Sequence, residues 1–173
     1  MIAKESMSQP FLSSEDVIVW NDRAALVWRR FLAQHPEILA LSCDIAGAKV
    51  AGELFQHIVA AELRYAERLA GLPVSDYAAI PFDSADSLYA THDRATEILR
   101  QVLADDAVDW DEKIDFMTRT LGPVRSTRKA VLFHSQLHSI RHYAQLATLV
   151  RQHGLKLGAP MDYLVQHVER VEG

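Results

Sequence analysis

Apolar residues recur along most of this chain at intervals of three and four, the period of a helix with one buried face. Ser13 and Ser14, followed by Glu15 and Asp16, form a helix-start signal: hydroxyl caps, then acid at the positive end of the helix dipole. The spacing of Val17, Trp20, Ala24, Val27, Trp28 and Phe31 predicts a first helix from about Glu15 to Gln34, ended by Pro36. After a connection through Cys43 to Gly47, a second helix is predicted from about Lys49 to Ala70, with Gly71 and Pro73 as its stop. A loop holding Pro81 leads to Ser84, a cap for a third helix from about Ala85 to Leu103.

The stretch Ala104 to Thr127 reads as mostly irregular, with Gly122-Pro123 as a breaker. A fourth helix follows from about Thr127 to His153; Gly154 suits a left-handed terminal position, and His153 suits the negative helix end. A last short helix is expected from near Pro160 to near Val171. Alternation of apolar and polar residues is nowhere sustained. The expected architecture is therefore all-α: a single-domain four-helix bundle over residues 1–173, with an additional short C-terminal helix.

Composition narrows the function classes. The formal net charge is −5 and the pI about 5.9, a poor match to DNA, RNA or anionic membrane, where contacts need Lys and Arg. No stretch has the apolar length of a membrane span, and the N-terminal residues lack a signal-peptide core, so a cytoplasmic location is expected. Cys43 is the one cysteine, which excludes an internal disulfide and cysteine-rich zinc sites. A metal would have to be held by His, Asp or Glu. Cys43 itself sits in no reactive motif and is expected to be a buried or incidental thiol.

The segment FHSQLHSIRHYAQLATLVRQHG, residues 133–154, is the most informative. His134, His138 and His142 lie four apart, drifting only about 40° per step, and share a face with Val131, Gln145 and Leu149. Imidazoles one turn apart on a helix can converge on one ion. Packed together without one, they are hard to satisfy with hydrogen bonds. Spacing alone leaves open which of the three would ligate. A further ligand must come from another helix. His57, among Val50, Leu54, Ala60 and Ala61, is the better candidate; His92, flanked by Thr91, Asp93 and Arg94, reads as solvated. His35, His153 and His167 read as structural or exposed.

Three segments carry a family resemblance. VWNDRAALVWRRFLA, GELFQHIVAAELRYAERLAGLP and HSQLHSIRHYAQLATLVRQHG resemble the first, second and fourth helices of the DinB/YfiT-like superfamily of metal-dependent proteins. In that family one histidine from the second helix and two from the fourth bind a divalent metal. The resemblance transfers these roles to His57, His138 and His142 and leaves His134 as a neighbour one turn outside. It also implies a homodimer. Arg141-His142-Tyr143-Ala144-Gln145 departs from the family's usual His-His-Arg-Gly-Gln, so groups behind the last ligand differ. Some relatives join a low-molecular-weight thiol to an electrophile and others are hydrolases. The implied reading is a metal-dependent S-transferase or hydrolase acting on a small molecule, with Zn or Ni as first choices and Fe or Mn behind them. A low-molecular-weight thiol is the cosubstrate in the first case.

Helical phase suggests supporting roles. Glu53, one turn before His57, is a candidate acceptor behind an imidazole or a general base. Arg64 and Arg68 follow on a similar face, suited either to an anionic substrate or to surface pairing. Gln145 shares the histidine face, for hydrogen bonding or plain burial. Glu62, about 140° from His57, reads as structural. Tyr143 reads as packing, and Trp20, Trp28 and Phe31 as core. A di-iron carboxylate bundle would need paired Glu-x-x-His motifs, and there are none. The remaining alternative is a non-catalytic metal-stabilised bundle that dimerises or binds a partner.

Overall fold

The protein is described by a computed structural model covering residues 11–118, 120–169 and 171; Met1–Pro10, on which most of the leader argument rests, lies outside this range. Four long helices make the body: α1 (Ser14–Gln34), α2 (Ala51–Leu69), α3 (Ala85–Leu103) and α4 (Arg128–Gln152). All four fall within about two residues of the spans read from periodicity. The start of α1 is a capping box: Ser13 Oγ accepts the Asp16 N–H while the Asp16 carboxylate accepts the Ser13 N–H. Ser84 and Thr127 cap α3 and α4 in the same way with their hydroxyls.

Cross-helix contacts fix the directions. Asn21 and Trp28 of α1 meet Gln136 and Tyr143 of α4, so these two helices run parallel. His57 and Tyr65 of α2 meet His142 and His134 of α4, so this pair is antiparallel. Asp22 and Arg29 of α1 meet Arg100 and Asp93 of α3, again antiparallel. The bundle is therefore up-down-down-up, and α2 and α3 are parallel neighbours. A parallel pair of 19-residue helices needs a connection that returns about 28 Å. Residues 70–84 make this crossing, and two buried polar groups of α2 hold it down. Gln56 Nε2 donates to the Ile80 carbonyl at 2.6 Å, and the fully buried Glu67 carboxylate accepts both the N–H and the hydroxyl of Ser75 at 2.7 and 2.6 Å.

The core is aromatic at its centre. Trp28, fully buried, stacks near Tyr143 and meets the edges of Phe31 and Phe55. Phe31 and Cys43 are also buried, whereas Trp20 lies at the rim, its indole N–H donating to the Met161 carbonyl at 2.6 Å.

Three expectations need correction. The stretch Ala104 to Thr127 is not mostly irregular: Lys113–Thr118 (β1) and Gly122–Thr127 (β2) form an antiparallel hairpin, in register Lys113 to Thr127 and Thr118 to Gly122. Gly122, at φ +70°, takes the left-handed conformation that lets the chain reverse. Ile114, Phe116 and Val124 point inward on alternate positions, a pattern too short and too poor in apolar residues to stand out. The last helix shrinks to a 3-10 turn at Tyr163–Gln166; Val171, its expected end, is outside any helix, and Arg170 is not described.

The third correction is His92. It is buried, not solvated, and it is charged. Nδ1 lies 2.7 Å from Glu62 Oε2 and Nε2 3.4 Å from Asp22 Oδ1. Burial works against the imidazolium, but the two carboxylates outweigh it and raise its pKa to about 10. Glu62 also accepts a 2.7 Å bond from Asn21 Nδ2, which in turn reaches Gln136 Oε1 at 3.0 Å. One polar layer thus crosses all four helices, and Glu62 has the structural role its phase suggested.

The linkage has a definite sign. The folded protein holds the His92 proton up to about pH 10, whereas an unfolded chain releases it near pH 6.5. The pair's full contribution is present below pH 6.5 and is lost as pH rises toward 10. His92→Gln, which keeps a hydrogen-bonding group without the charge, should lower stability by about 2–4 kcal/mol at pH 7. In denaturant titrations the gap between wild type and variant should narrow from pH 7 to pH 10. A gap that stays constant over that range would show that His92 carries no extra proton.

Candidate metal centre

The α2/α4 seam and the α1/α3 seam lie on opposite sides of the bundle. The histidine line faces the first. The antiparallel crossing of α2 over α4 brings His57 beside the pair one turn apart on α4: ring centroids are 4.8 Å from His57 to His138, 5.0 Å to His142, and 4.4 Å between His138 and His142. One ligand atom from each of the three lies within 4.8 Å of the other two. His142 is buried; His57 and His138 are partly so.

Hydrogen bonding orients the rings. Gln145 Oε1, one turn on, lies 2.6 Å from His142 Nδ1. An amide oxygen only accepts, so Nδ1 carries the proton and Nε2 keeps a lone pair. That Nε2 is 3.2 Å from Nε2 of His138. At the usual zinc–imidazole distance of about 2.0–2.1 Å, two nitrogens this far apart subtend about 100° at one ion, close to tetrahedral. The Nδ1 of His138 is buried and has no hydrogen-bond partner, so this imidazole is not anchored by a protein acceptor.

Electrostatics keep His138 and His142 neutral, the form a metal requires. Burial, then the neighbouring histidines and Arg141, lower the pKa of His138 to about 2. Burial and Arg141 lower that of His142 against the opposing bond to Gln145. His134 is likewise lowered, by burial and Arg141. The donor set of three imidazole nitrogens without a carboxylate fits a borderline divalent ion better than Mg or Ca.

The other expected site residues fall around this centre. His134 is exposed on the mouth side, 5.5 Å from the His138 ring and 5.5 Å from that of Tyr65. Glu53 lies one turn before His57, and its carboxylate accepts the Lys49 N–H at 2.6 Å, at the start of α2. Arg64 is partly buried two turns after His57. Arg68 is held over the rings of Tyr65 and Phe116, and it donates to the Arg64 carbonyl.

Sequence reasoning missed two residues. Tyr65 walls the mouth between His134 and Phe116 of the hairpin. Arg141 places Nη2 2.9 Å from His142 Nε2. Its position was legible: it follows His138 by three and sits between the two candidate histidines of α4.

Among the described residues, no helix is long and apolar enough to cross a membrane. No curated protein matches the chain. The sequence pattern of the DinB family matches residues 7–170, nearly the whole length. With that match, the four-helix fold and the three-histidine cluster, this chain belongs to the DinB family.

Proposed function

We propose that this protein is a metal-dependent enzyme that transfers a low-molecular-weight thiol to an electrophilic small molecule, or hydrolyses such a molecule, using an ion held by His57, His138 and His142. The observation that carries this reading is the convergence of three imidazoles, with two Nε2 atoms 3.2 Å apart. Three protein ligands leave an ion at least one open position, where it makes a water or thiol more acidic near neutral pH. Zn and Ni suit the donors best, with Fe or Mn next.

The chain's own residues supply the rest. Gln145 holds the His142 ring with its Nε2 toward the centre. Burial keeps His138 and His142 unprotonated, so their lone pairs stay available to an ion. Tyr65, Phe116 and His134 wall one side of the mouth and limit solvent there. In the transfer reading, the thiol sulfur attacks carbon, the leaving group departs with the bonding pair, and the thiol proton passes to solvent or to the leaving group.

Protein purified without a metal-affinity tag should contain about one transition-metal ion per chain by elemental analysis. His57→Ala, His138→Ala and His142→Ala should each abolish it; unchanged content in all three would remove the site assignment. Gln145→Ala should weaken metal affinity by about 10- to 100-fold while leaving the fold intact, measured by competition with a chromogenic chelator. An unchanged affinity would mean that the Gln145 contact does not orient the ligand.

The polar layer around Glu62 and the aromatic core do not involve the ion. Metal-stripped protein should therefore retain its helical circular dichroism and a cooperative melt. Unfolding on chelation would favour a structural metal instead. Thiol conjugation to electrophiles by the loaded protein, screened against the His57/His138/His142 triple variant, tests catalysis directly. Equal rates would defeat the transferase reading.

A further inference from the structure

The mouth of the histidine centre is cationic, although the chain is not. The protein has 23 acidic residues against 18 Lys and Arg, yet α4 contains no Asp or Glu, while Arg128, Lys129, Arg141 and Arg151 lie along it. On α2, Arg64 and Arg68 lie within about 20° of His57 in helical phase, two and three turns further on. The antiparallel crossing sets this side of α2 against the histidine face of α4. The one carboxylate in phase on α2 is Glu53, on the far side of His57, and its oxygen is engaged by the Lys49 N–H.

The three arginines are not equivalent. Arg68 is committed: it lies over two aromatic rings and donates to the carbonyls of Arg64 and Met117. Arg64 and Arg141 form no ion pair with any carboxylate among the described residues. Arg29, Arg94, Arg100, Arg125 and Arg128 do, whereas Arg23, Arg30 and Arg151, like Arg68, do not. Arg64 is partly buried, two turns from His57 on the same side of α2. Arg141 sits at the centre itself, where its Nη2 donates to His142 Nε2 at 2.9 Å; an ion taking that lone pair would displace the guanidinium and free its donors. A guanidinium there is within reach of any molecule seated at the open side of the histidines. Its fork of donors matches an oxyanion better than any neutral group.

We propose that Arg64 and Arg141 are specificity-determining residues that receive an oxyanion group, carboxylate, phosphate or sulfonate, on the small molecule acted on at this site. This inference rests on the metal-dependent reading and names the class of molecule it serves. The paired arginines fix the charged end of the molecule and so place its reacting end over the three histidines. Neutral thiols or electrophiles of the same size gain nothing from the pair.

The test uses full-length protein loaded with Co(II), whose visible spectrum reports thiol binding. Three thiols are titrated: 2-mercaptoethanol, neutral; 3-mercaptopropionate, with a planar carboxylate; and 2-mercaptoethanesulfonate, with a tetrahedral oxyanion. At least one anionic thiol should bind about tenfold more tightly than the neutral one. The better of the two identifies the head group. Arg64→Gln and Arg141→Gln should each weaken the anionic thiol about tenfold and leave 2-mercaptoethanol within about twofold. Arg64→Lys and Arg141→Lys should keep part of the preference, because the charge remains.

Equal affinities for all three thiols, or losses that fall equally on neutral and anionic thiols, would overturn the proposal while leaving the metal centre standing. Failure of the protein to bind cobalt at all would remove the metal-dependent reading, and this inference with it.

Discussion

The contact on which the rest of this bundle depends is the buried pair of Glu62 and His92. A carboxylate inside an apolar bundle is tolerated only with its charge and lone pairs answered. One Glu62 oxygen meets the His92 ring and the other meets Asn21, which spans on to Gln136. The layer therefore specifies how far each helix is slid along its neighbours, a task for which greasy side chains are poorly suited. Glu62 is five residues from His57, and Gln136 is two from His138. A slip of one turn in α2 would break the Glu62 contacts and part His57 from the pair on α4 together.

The two sides of α2 consequently have opposite electrostatic characters. Toward α1 and α3 it presents Glu62 and Glu67, and the neighbouring cation His92 is drawn in and held protonated. Toward α4 it presents His57, and the His138 and His142 imidazoles it meets there are held neutral. The same side-chain type thus serves as a structural cation on one seam and as a lone-pair donor on the other. The difference lies in which charges the packing brings near.

Much of this could be read in the amino-acid order. The four helices announce themselves through spacing, capping hydroxyls and terminal glycines, since those signals act within a few residues. Spacing also put His134, His138 and His142 on one face, but it could not say which two would meet α2. That choice depends on the crossing point of two helices, and the family resemblance supplied it. His92 was misread because its sequence neighbours Asp93 and Arg94 are polar, whereas its spatial neighbours are Glu62 and Asp22. The hairpin was missed because only Ile114, Phe116 and Val124 mark its inner face, and the Gly122-Pro123 pair that opens its second strand looks like a simple break. Long-range pairing was invisible in each case.

The separation of the ligands along the chain also bears on how the protein is born. His57 emerges from the ribosome about 80 residues before His138. In the interval α3 and the hairpin are made, and α2 has only α1 and α3 for company. Domains generally fold as units, and the three nitrogens come together only when α4 packs against α2. On the proposed reading, an ion would therefore meet its full set of ligands in the finished bundle and not on the growing chain.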